Sequence, residues 1–483
     1  MSEDTTKAQL DIRLESRSFD PATVRVLGVV GREAVSQLFR FDIDLVSTDR
    51  SGLSPALAGT TLTLVIDVDG REARRVHGMV SEITDAFTDR AGLRHHRLTL
   101  VPHAYRLAMV HTQDIYMDIT VPELLAAKLG GVGLARHVDM RLLADYPRRD
   151  FIVQWDETDL AFVSRLAEHL GIGFFFEEQG GAQKLVFTDH PDGYSSPEDR
   201  TAPFGERSEG HGVFEFDATT RMIPSFYAVR DYNDRTPHVD LSTFHRWDDA
   251  HPGGVVDFGS HVLTPEDSAH LARVRAEERR ATQLVHAGKS VLPALSAGAR
   301  FRFEGHPDFD AADLLITEVS HRVEQTAKGA WADAPLSYEN SFRAIPAERT
   351  YRPPRATPRP RISGVVTAIV DPGPTGIERY AQMDPEGRYW LRFLFDTTPS
   401  GRRPPSLPVR MLQPHAGEGY GVHFPLKPGT EVLVAFVNGD PDRPVLAGAV
   451  HNPLTPPTVT QKNPMTHRIR TSGGVIFDIV DEP

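Results

Sequence analysis

The stretch from Lys427 to Asn452, KPGTEVLVAFVNGDPDRPVLAGAVHN, decides how the rest of the chain is interpreted. Its two β-branched runs, Val432 to Val437 and Val445 to Val450, are typical of strands. The NGDPDRP segment between them consists of turn-forming residues. The stretch therefore predicts an antiparallel β-hairpin.

The first strand of this hairpin, VLVAFV, is apolar on both faces, whereas a strand with one solvated face alternates apolar and polar residues. The interior of a small barrel covers only one face, so we predict that another subunit covers the second. Asp440, Asp442 and Arg443 could suggest a charged site. Asx side chains in such a turn usually bind local backbone donors, and turn formation is therefore the preferred interpretation.

Two separated segments resemble one known family. Lys427 to Phe436 followed by Gly439 to Asn452 resembles the VgrG-type spike proteins of type VI secretion and related phage-tail-like contractile injection machines. Trp155 to Glu177, WDETDLAFVSRLAEHLGIGFFFE, is similar to a hallmark segment of the hub portion of that family. The resemblance implies an oligonucleotide/oligosaccharide-binding-like (OB) barrel that trimerises below a tail hub and above a β-helical needle.

Composition narrows the class of protein. The 483 residues are too many for one core and indicate three or more domains. The sequence lacks cysteine, which excludes disulfides, thiolate zinc sites and thiol nucleophiles, and its net charge of −13 argues against generic nucleic-acid binding. The acidic start, MSEDTTKAQ, has no secretory signal. We expect assembly in the bacterial cytoplasm and export by injection.

The predicted fold is mainly β with α+β insertions, in which two tail-tube-like β-barrels form a hub. Residues 1–110 form the first hub barrel, whose strand runs are Val24 to Val26, Phe39 to Leu45, Thr61 to Ile66, Val76 to Ile83 and Arg97 to Val101. Residues 111–212 are an α+β hub insertion, with one helix from Thr120 to Gly131 and another from Asp156 or Thr158 to Gly171.

Residues 213–345 are predicted to form the second hub barrel, with a helical insertion around 250–285. Thr264 caps a charged helix that runs to about Thr282. Its inward residues are Leu271, Val274 and Ala281, and its predicted solvated face is Arg273, Arg275, Glu277, Glu278, Arg279 and Arg280.

A weak internal repeat links the two barrels. Leu57 to Gly59 recurs as Leu295 to Gly298, and Val80 to Glu82 as Val319 to His321. The exit Leu98 to Pro102 recurs as Phe342 to Pro346. Two like barrels in each chain of a trimer would give six around a ring. The resemblance implies this role, in which the hub adapts a three-fold spike to a six-fold tube.

The C-terminal third is predicted to contain a linker, a barrel and the start of a needle. Residues 346–361 are a Pro- and Arg-rich spacer whose charges meet acidic surface. Residues 362–453 are the OB-fold domain, with strands in Ile362 to Val370, Gly387 to Phe395, Leu407 to Leu412, Gly421 to Phe424 and the opening hairpin. Residues 454–483 are predicted to begin the β-helical needle. Only its start is present, so either the spike is unusually short or the chain ends before the needle.

One strand of this barrel has two different faces. Tyr389, Leu391 and Phe393 should fill the interior, while Trp390 and Arg392 lie on the other side. An aromatic and basic face suits either single-stranded nucleic acid or a subunit contact, and the acidic chain favours the contact.

The sequence contains no motif that predicts catalysis. There is no G-x-S-x-G, H-E-x-x-H or P-loop, and no cysteine. His95, His96, His103 and His111 form the densest histidine group, but no patterned acidic ligand accompanies them. Asp67 to Gly70 is better interpreted as a hairpin turn than as a calcium loop. The segments Gly131 to Gly133 and Gly171 to Gly173 are better interpreted as helix stops than as phosphate loops. We predict no catalytic, cofactor or metal residues.

These features predict a non-enzymatic structural hub and spike at the tip of a type VI or related machine. The resemblance implies that it punctures the target membrane and carries effectors. It also implies these partners: two further copies of the chain, a hexameric inner-tube protein, a tip-capping protein, effectors and baseplate proteins, but no nucleic acid and no cofactor. Three alternatives stay open: the equivalent hub of a phage or extracellular injection particle, a cell-wall hydrolase, and an oligonucleotide-binding module.

Overall fold

A computed structural model describes residues 9–49, 53–90, 93–196, 201–205, 212–248, 252–309, 312–325, 335–398 and 406–482. The predicted signal-free start therefore lies mostly outside the described residues, as does much of the expected loop from His190 to Gly212. The chain forms two compact units. The first comprises Met1–Val110, Val121–Tyr146 and Thr158–Pro358, and the second comprises His111–Thr120, Pro147–Glu157 and Arg359–Pro483.

The described elements follow one another along the chain as three helices and 28 strands. Up to the second helix they are β1 (Leu10–Glu15), β2 (Val24–Ala34), β3 (Arg40–Ser47), β4 (Thr61–Val68), β5 (Arg71–Arg90), β6 (Leu93–Val101), β7 (His111–Tyr116), α1 (Val121–Gly131), β8 (Val138–Arg141), β9 (Ile152–Thr158) and α2 (Asp159–Leu170). The next group is β10 (Gly173–Gln179), β11 (Ala182–Thr188), β12 (Thr201–Pro203), β13 (Val213–Thr220), β14 (Phe226–Arg230), β15 (Thr243–Arg246), β16 (Gly254–Phe258) and α3 (Pro265–Ala281). The last group is β17 (Leu284–Ser290), β18 (Arg300–Glu304), β19 (Ala312–Gln325), β20 (Leu336–Pro346), β21 (Val366–Val370), β22 (Leu391–Phe393), β23 (Ala416–Gly417), β24 (Tyr420–Gly421), β25 (Glu431–Phe436), β26 (Pro444–Ala449), β27 (Thr466–Arg470) and β28 (Ile476–Val480).

The first unit is built on a 12-stranded sheet whose two halves share a strand order but differ at one edge, where β1 pairs antiparallel with β4 and β12 pairs parallel with β18. The first half has the order β1-β4-β5-β6-β3-β2, and the second has the order β12-β18-β19-β20-β17-β13. Antiparallel pairing of β2 with β19 joins them. The repeated strand order confirms that the hub contains two like β modules in each chain.

Hydrogen bonds fix the register of this repeat. Gly59 N donates to Val80 O, and Gly298 N donates to Ile316 O, at 2.7 and 2.9 Å. Both glycines have left-handed φ values, +87° and +83°, which favour glycine. A bulge follows Val80 in β5 and Ile316 in β19.

The segment of the second half that is equivalent to Val80–Glu82 is therefore Ile316–Glu318. The predicted equivalent, Val319–His321, was wrong by three residues. The recurring Val-Ser pair misled the comparison, because the bulge sets the backbone equivalence. The exit match is confirmed, since Leu100 lies opposite Val80 as Ala344 lies opposite Ile316.

Caps delimit the predicted helices of the first unit. Thr158 Oγ1 accepts a hydrogen bond from Ala161 N at 3.1 Å, and Gly171 ends α2 with φ +69°. Thr264 Oγ1 caps α3 through Asp267 N at 3.1 Å. The predicted outward positions of Arg275 and Glu278 were wrong, because both side chains are buried. Arg275 donates to the carbonyl of His169 at 2.7 Å, a backbone partner that the helical pattern cannot reveal.

Turn glycines occur where the sequence predicts them. Asp69 and Gly70 connect β4 to β5 with φ values of 51° and 73°, as a tight hairpin turn requires. Gly133, two residues after the end of α1, has φ +81°, which agrees with a helix stop. In the described residues no helix is long and apolar enough to cross a membrane.

The second unit contains the predicted C-terminal barrel and two pieces of the predicted hub insertion. Its main sheet has the order β22-β21-β25-β26, and β7 pairs with β9. Residues 111–120 and 147–157 belong to this unit, so the segment 111–212 contributes to both units.

The strands of the barrel are shorter than predicted. Pro408 lies in a segment that makes only isolated bridges, through Val409 and Met411. The predicted strand Gly421 to Phe424 is wrong, since only Tyr420–Gly421 is paired.

Candidate functional site: apolar surfaces for assembly

The hairpin of β25 and β26 has one face inside the barrel. Val432 and Val434 are fully buried and Phe436 nearly so, in a core with Tyr389 and Phe393. The opposite face, formed by Leu433, Ala435 and Val437, is half-buried in the single chain. The prediction of a barrel around this strand is confirmed, and its second apolar face stays half-buried in the single chain.

A buried charged cluster holds the turn of this hairpin. Arg359 donates to Asp440 Oδ1 at 2.7 Å and lies 3.3 Å from Asp442 Oδ2. Asp442 Oδ1 accepts a hydrogen bond from Val153 N at 2.7 Å. Burial raises the pKa of Asp440 to about 6, and the negative charge of Asp442 adds to this shift.

The same carboxylates also form the turn. Asp442 N donates to Asp440 Oδ1 at 3.1 Å, which confirms the predicted local role. The sequence interpretation missed the charged cluster because Val153 and Arg359 are remote in the chain.

The C-terminal hairpin of β27 and β28 exposes apolar side chains on both faces. Ile476 and Val480 lie on one face of β28, and Phe477 and Ile479 lie on the other; their exposed fractions run from 49 to 62%. In the described residues these two strands pair only with each other. A two-stranded hairpin is at best marginally stable alone in water, so this surface needs a covering partner.

The outer face of β22 suits a protein contact better than nucleic acid. The guanidinium of Arg392 forms an ion pair with the buried carboxylate of Asp371. Trp390 packs over Gly373, where an added Cβ would lie 2.6 Å from the indole ring. Leu394 is 58% exposed. The cation that would attract phosphate is thus neutralised, while the exposed remainder of the face is apolar.

The linker arginines bind acidic groups, as the sequence predicts. In the first unit, Arg352 Nε is 2.8 Å from Glu277, and Arg355 Nη1 is 3.0 Å from Asp257. Arg352 also donates to the carbonyl of Gly171, the cap of α2, at 3.0 Å. The linker is therefore held by charge-assisted hydrogen bonds rather than free in solvent.

A buried polar network connects the two halves of the hub. Glu33 on β2 contacts Arg74 on β5 and His321 on β19, and His321 Nδ1 lies 2.6 Å from Tyr338 Oη. Burial acts to raise the pKa of Glu33, but Arg74 and His321 outweigh it and keep the pKa below its ordinary value. The sequence gives no signal for this network, because its members come from four strands.

The histidine group seen in the sequence does not come together. His96 Nε2 accepts a hydrogen bond from Leu53 N at 3.2 Å, and His111 lies in the second unit, 3.7 Å from Asp156. His103 instead shares a cavity with His77 and His137. The four residues therefore do not form one site.

Together, the repeated hub, the small barrel and the apolar hairpin define a tail-type baseplate hub that carries an injector barrel. Residues 32–327 match the family phage tail baseplate hub (GPD). Residues 380–451 match the type VI secretion system/phage-baseplate injector OB domain. The chain therefore belongs to the phage tail baseplate hub family, with the hub and OB architecture of VgrG-type spikes.

Similar proteins agree with this assignment. The type VI secretion system spike protein VgrG5 of Pseudomonas aeruginosa is 31% identical over 92% of this chain and 58% of its own length. The actin cross-linking toxin VgrG1 of Vibrio cholerae is 28% identical over 94% of this chain and 43% of its own. A solved E. coli type VI secretion component, described as structurally similar to bacteriophage T4 tail proteins gp27 and gp5, is 25% identical with a TM-score of 0.66, covering 90% of this chain and 99% of that one. The chain thus spans about half the length of the curated relatives.

Proposed function

We propose that this chain is a non-enzymatic structural hub and spike of a contractile injection machine and that it works as a homotrimer. The observation that carries the proposal is the hairpin of β27 and β28, which is apolar on both faces. Two further copies supply strands that shield these faces, whereas one neighbour could cover only one of them. The half-buried second face of β25 offers a further apolar surface to the same partner copies.

The repeated hub gives the trimer its second role. Each chain has two halves with the same strand order, so three chains present six similar modules. Such a ring matches a three-fold spike to a six-fold inner tube. The domain division proposed for this role is 1–110 and 213–345 for the hub modules, 111–212 for the hub insertion, 346–361 for the linker, 362–453 for the OB domain and 454–483 for the needle start, with two changes. Thr201–Pro203 pairs with β18 and joins the second module, and residues 111–120 and 147–157 join the unit that holds the OB domain.

The partners follow from the two ends of such a hub. A hexameric inner-tube protein and baseplate proteins bind at the hub, and a tip-capping protein and effectors bind at the needle. Injection by the machine itself exports the assembly and drives it through the target membrane. Support comes from the similar proteins, which are type VI secretion spike proteins and, in one case, an actin cross-linking toxin.

Electron microscopy of the purified full chain tests this function. We expect particles with three-fold symmetry and a ring of six similar densities at the hub end. Particles that contain a single copy, or a ring without three-fold symmetry, would overturn the proposal. Co-purification with the inner-tube protein of the same bacterium should in addition give a six-fold layer stacked on the ring.

A further inference from the structure

The first unit contains a cavity of about 340 Å³. Its walls are β4, β5, β10, β11, the segment after β6 and the loop after α1. Its lining includes His77, His103, Arg106, Leu134, His137 and Phe176. This volume lies in the range of small-molecule sites, about 300 to 1,000 Å³. The hub and spike function makes no use of this cavity.

The ionisable side chains that line the cavity are all basic. Three imidazoles and the guanidinium of Arg106 line the cavity, and no carboxylate does among the lining residues described. His77 Nδ1 lies 2.7 Å from Thr63 Oγ1, while its buried Nε2 has no hydrogen-bond partner in the described part of the chain and lies 3.6 Å from Glu178 Oε2. His137 Nδ1 lies 3.2 Å from the carbonyl of Gln183. The guanidinium of Arg106 therefore offers a permanent cation to an anion, and the imidazoles can add donors when they are protonated.

Burial and nearby positive charge disfavour protonation of His77 and His103. Burial lowers the pKa of His103 first, and Arg106, His137 and His77 lower it further. Burial also lowers the pKa of His77. The other charged groups that act on His77 are Arg75, Glu15, Glu72 and Glu178, the last 3.6 Å away. A bound anion would relieve the repulsion and raise both pKa values.

A metal ion fits this cavity less well. Ligand nitrogens must converge for tetrahedral coordination. In the described residues the three imidazoles do not place one nitrogen each within 4.8 Å of the other two. The rest of the lining is apolar, including Leu134 and the ring of Phe176. A ligand with one charged end and one apolar end matches both parts of the wall.

We propose that this cavity binds a small organic carboxylate that has an apolar body. The carboxylate lies among Arg106 and the imidazoles, and the body packs on Phe176 and Leu134. The site goes beyond the structural role of the hub and does not depend on it, since every residue of the lining belongs to the first unit of one chain.

Isothermal titration calorimetry of the full chain with benzoate tests the proposal, with neutral benzamide as the isosteric comparison. We expect benzoate to bind about tenfold more tightly than benzamide, and R106Q to remove about that advantage. Arg136 is exposed and does not line the cavity, so R136Q is the matched control and should leave binding unchanged. Equal binding of the two probes, or benzoate binding that R106Q leaves unchanged, would overturn the proposal.

A second readout guards against misfolding of the variant. The imidazole proton signals of unmodified protein, titrated with and without benzoate, should show a raised pKa for His103. Benzoate should also bind more tightly as the pH falls from about 8 to about 5, because His77 and His103, whose pKa values burial lowers, gain protons toward the acidic end of that interval. Glu178, whose pKa burial raises to about 7, loses its competing charge over the same interval. A His103 titration that benzoate does not alter would contradict the site.

Discussion

Glu33 Oε1 on β2 lies 2.5 Å from His321 Nε2 on β19, and this contact joins the two halves of the hub inside the protein. Both side chains are buried, at 9 and 2% exposure. Arg74 adds a positive charge from β5 on the same carboxylate oxygen. A specific charged network therefore connects the two like modules, in addition to the backbone pairing of β2 with β19.

Replacement of this carboxylate should destabilise the hub strongly. E33Q keeps the shape of the side chain but leaves the guanidinium of Arg74 buried without its counter-charge, which costs about 3 to 5 kcal/mol. Urea unfolding followed by tryptophan fluorescence and circular dichroism measures the loss. Glu318 also joins β2 to β19, through the exposed Arg32 at 2.9 Å, so E318Q is the control and should cost about 1 kcal/mol or less. Equal losses in the two variants would refute a special role for Glu33.

The repeat supplies a matched pair of glycine substitutions. Gly59 and Gly298 occupy equivalent left-handed positions, so alanine strains both by about 1 to 2 kcal/mol. At Gly298 the added Cβ would lie 2.3 Å from the ring of Phe175, whereas at Gly59 nothing lies within 4 Å.

Thermal unfolding of G59A and G298A therefore separates the cost of backbone strain from the cost of steric overlap between the added methyl group and Phe175. G298A should lose a further 1 to 3 kcal/mol or so, because a packed core does not admit the methyl group without displacement. If G59A is the more damaging variant, the proposed equivalence of the two halves does not extend to their packing.

Asp440 should make the stability of the second unit depend on pH. Its folded-state pKa of about 6 exceeds the ordinary value of 3.8, so the folded state holds this proton more tightly than the unfolded state. This contribution to stability is present below about pH 4 and is lost as the pH rises through about 6. The stability of D440N relative to the unmodified protein should therefore rise across that interval, by about 1 to 3 kcal/mol.

Chemical denaturation at several pH values measures this difference. A flat profile for D440N would mean that Asp440 titrates normally.

The apolar hairpin predicts a variant that dissociates the assembly without unfolding the chain. Phe477 is 59% exposed in one chain, so F477D costs the isolated chain little, but it places a charge in the proposed interface. We expect a loss of about 2 kcal/mol or more per copy in association, seen as a fall in native mass.

Met222, in the first unit and 89% exposed, gives the control M222D, which should keep the assembled mass. If F477D assembles as the unmodified protein does, the hairpin is not an interface.

Sequence patterns predicted those features whose determinants are local. The caps of α2 and α3, the turn at Asp69 and Gly70, and the buried side of the Val432 strand all follow from residues a few positions apart. The alternation of Tyr389, Leu391 and Phe393 likewise identified the inner face of the barrel.

The missed features depend on contacts between distant residues. Asp442 binds Val153 across 289 positions, and His321 binds Glu33 across 288. Arg275 looked like a surface residue because a helical pattern does not show which backbone carbonyl will approach it. The predicted alignment of the two repeats was displaced by three residues at Val80–Glu82, because a bulge and not a sequence identity sets the register.

The mass of the full chain in solution, measured by size-exclusion chromatography with light scattering, tests the central claim most directly. Three copies per particle are predicted, because the hairpin of β27 and β28 has apolar surface on both faces that one chain does not cover. A stable, well-folded monomer over a wide concentration range would contradict the account.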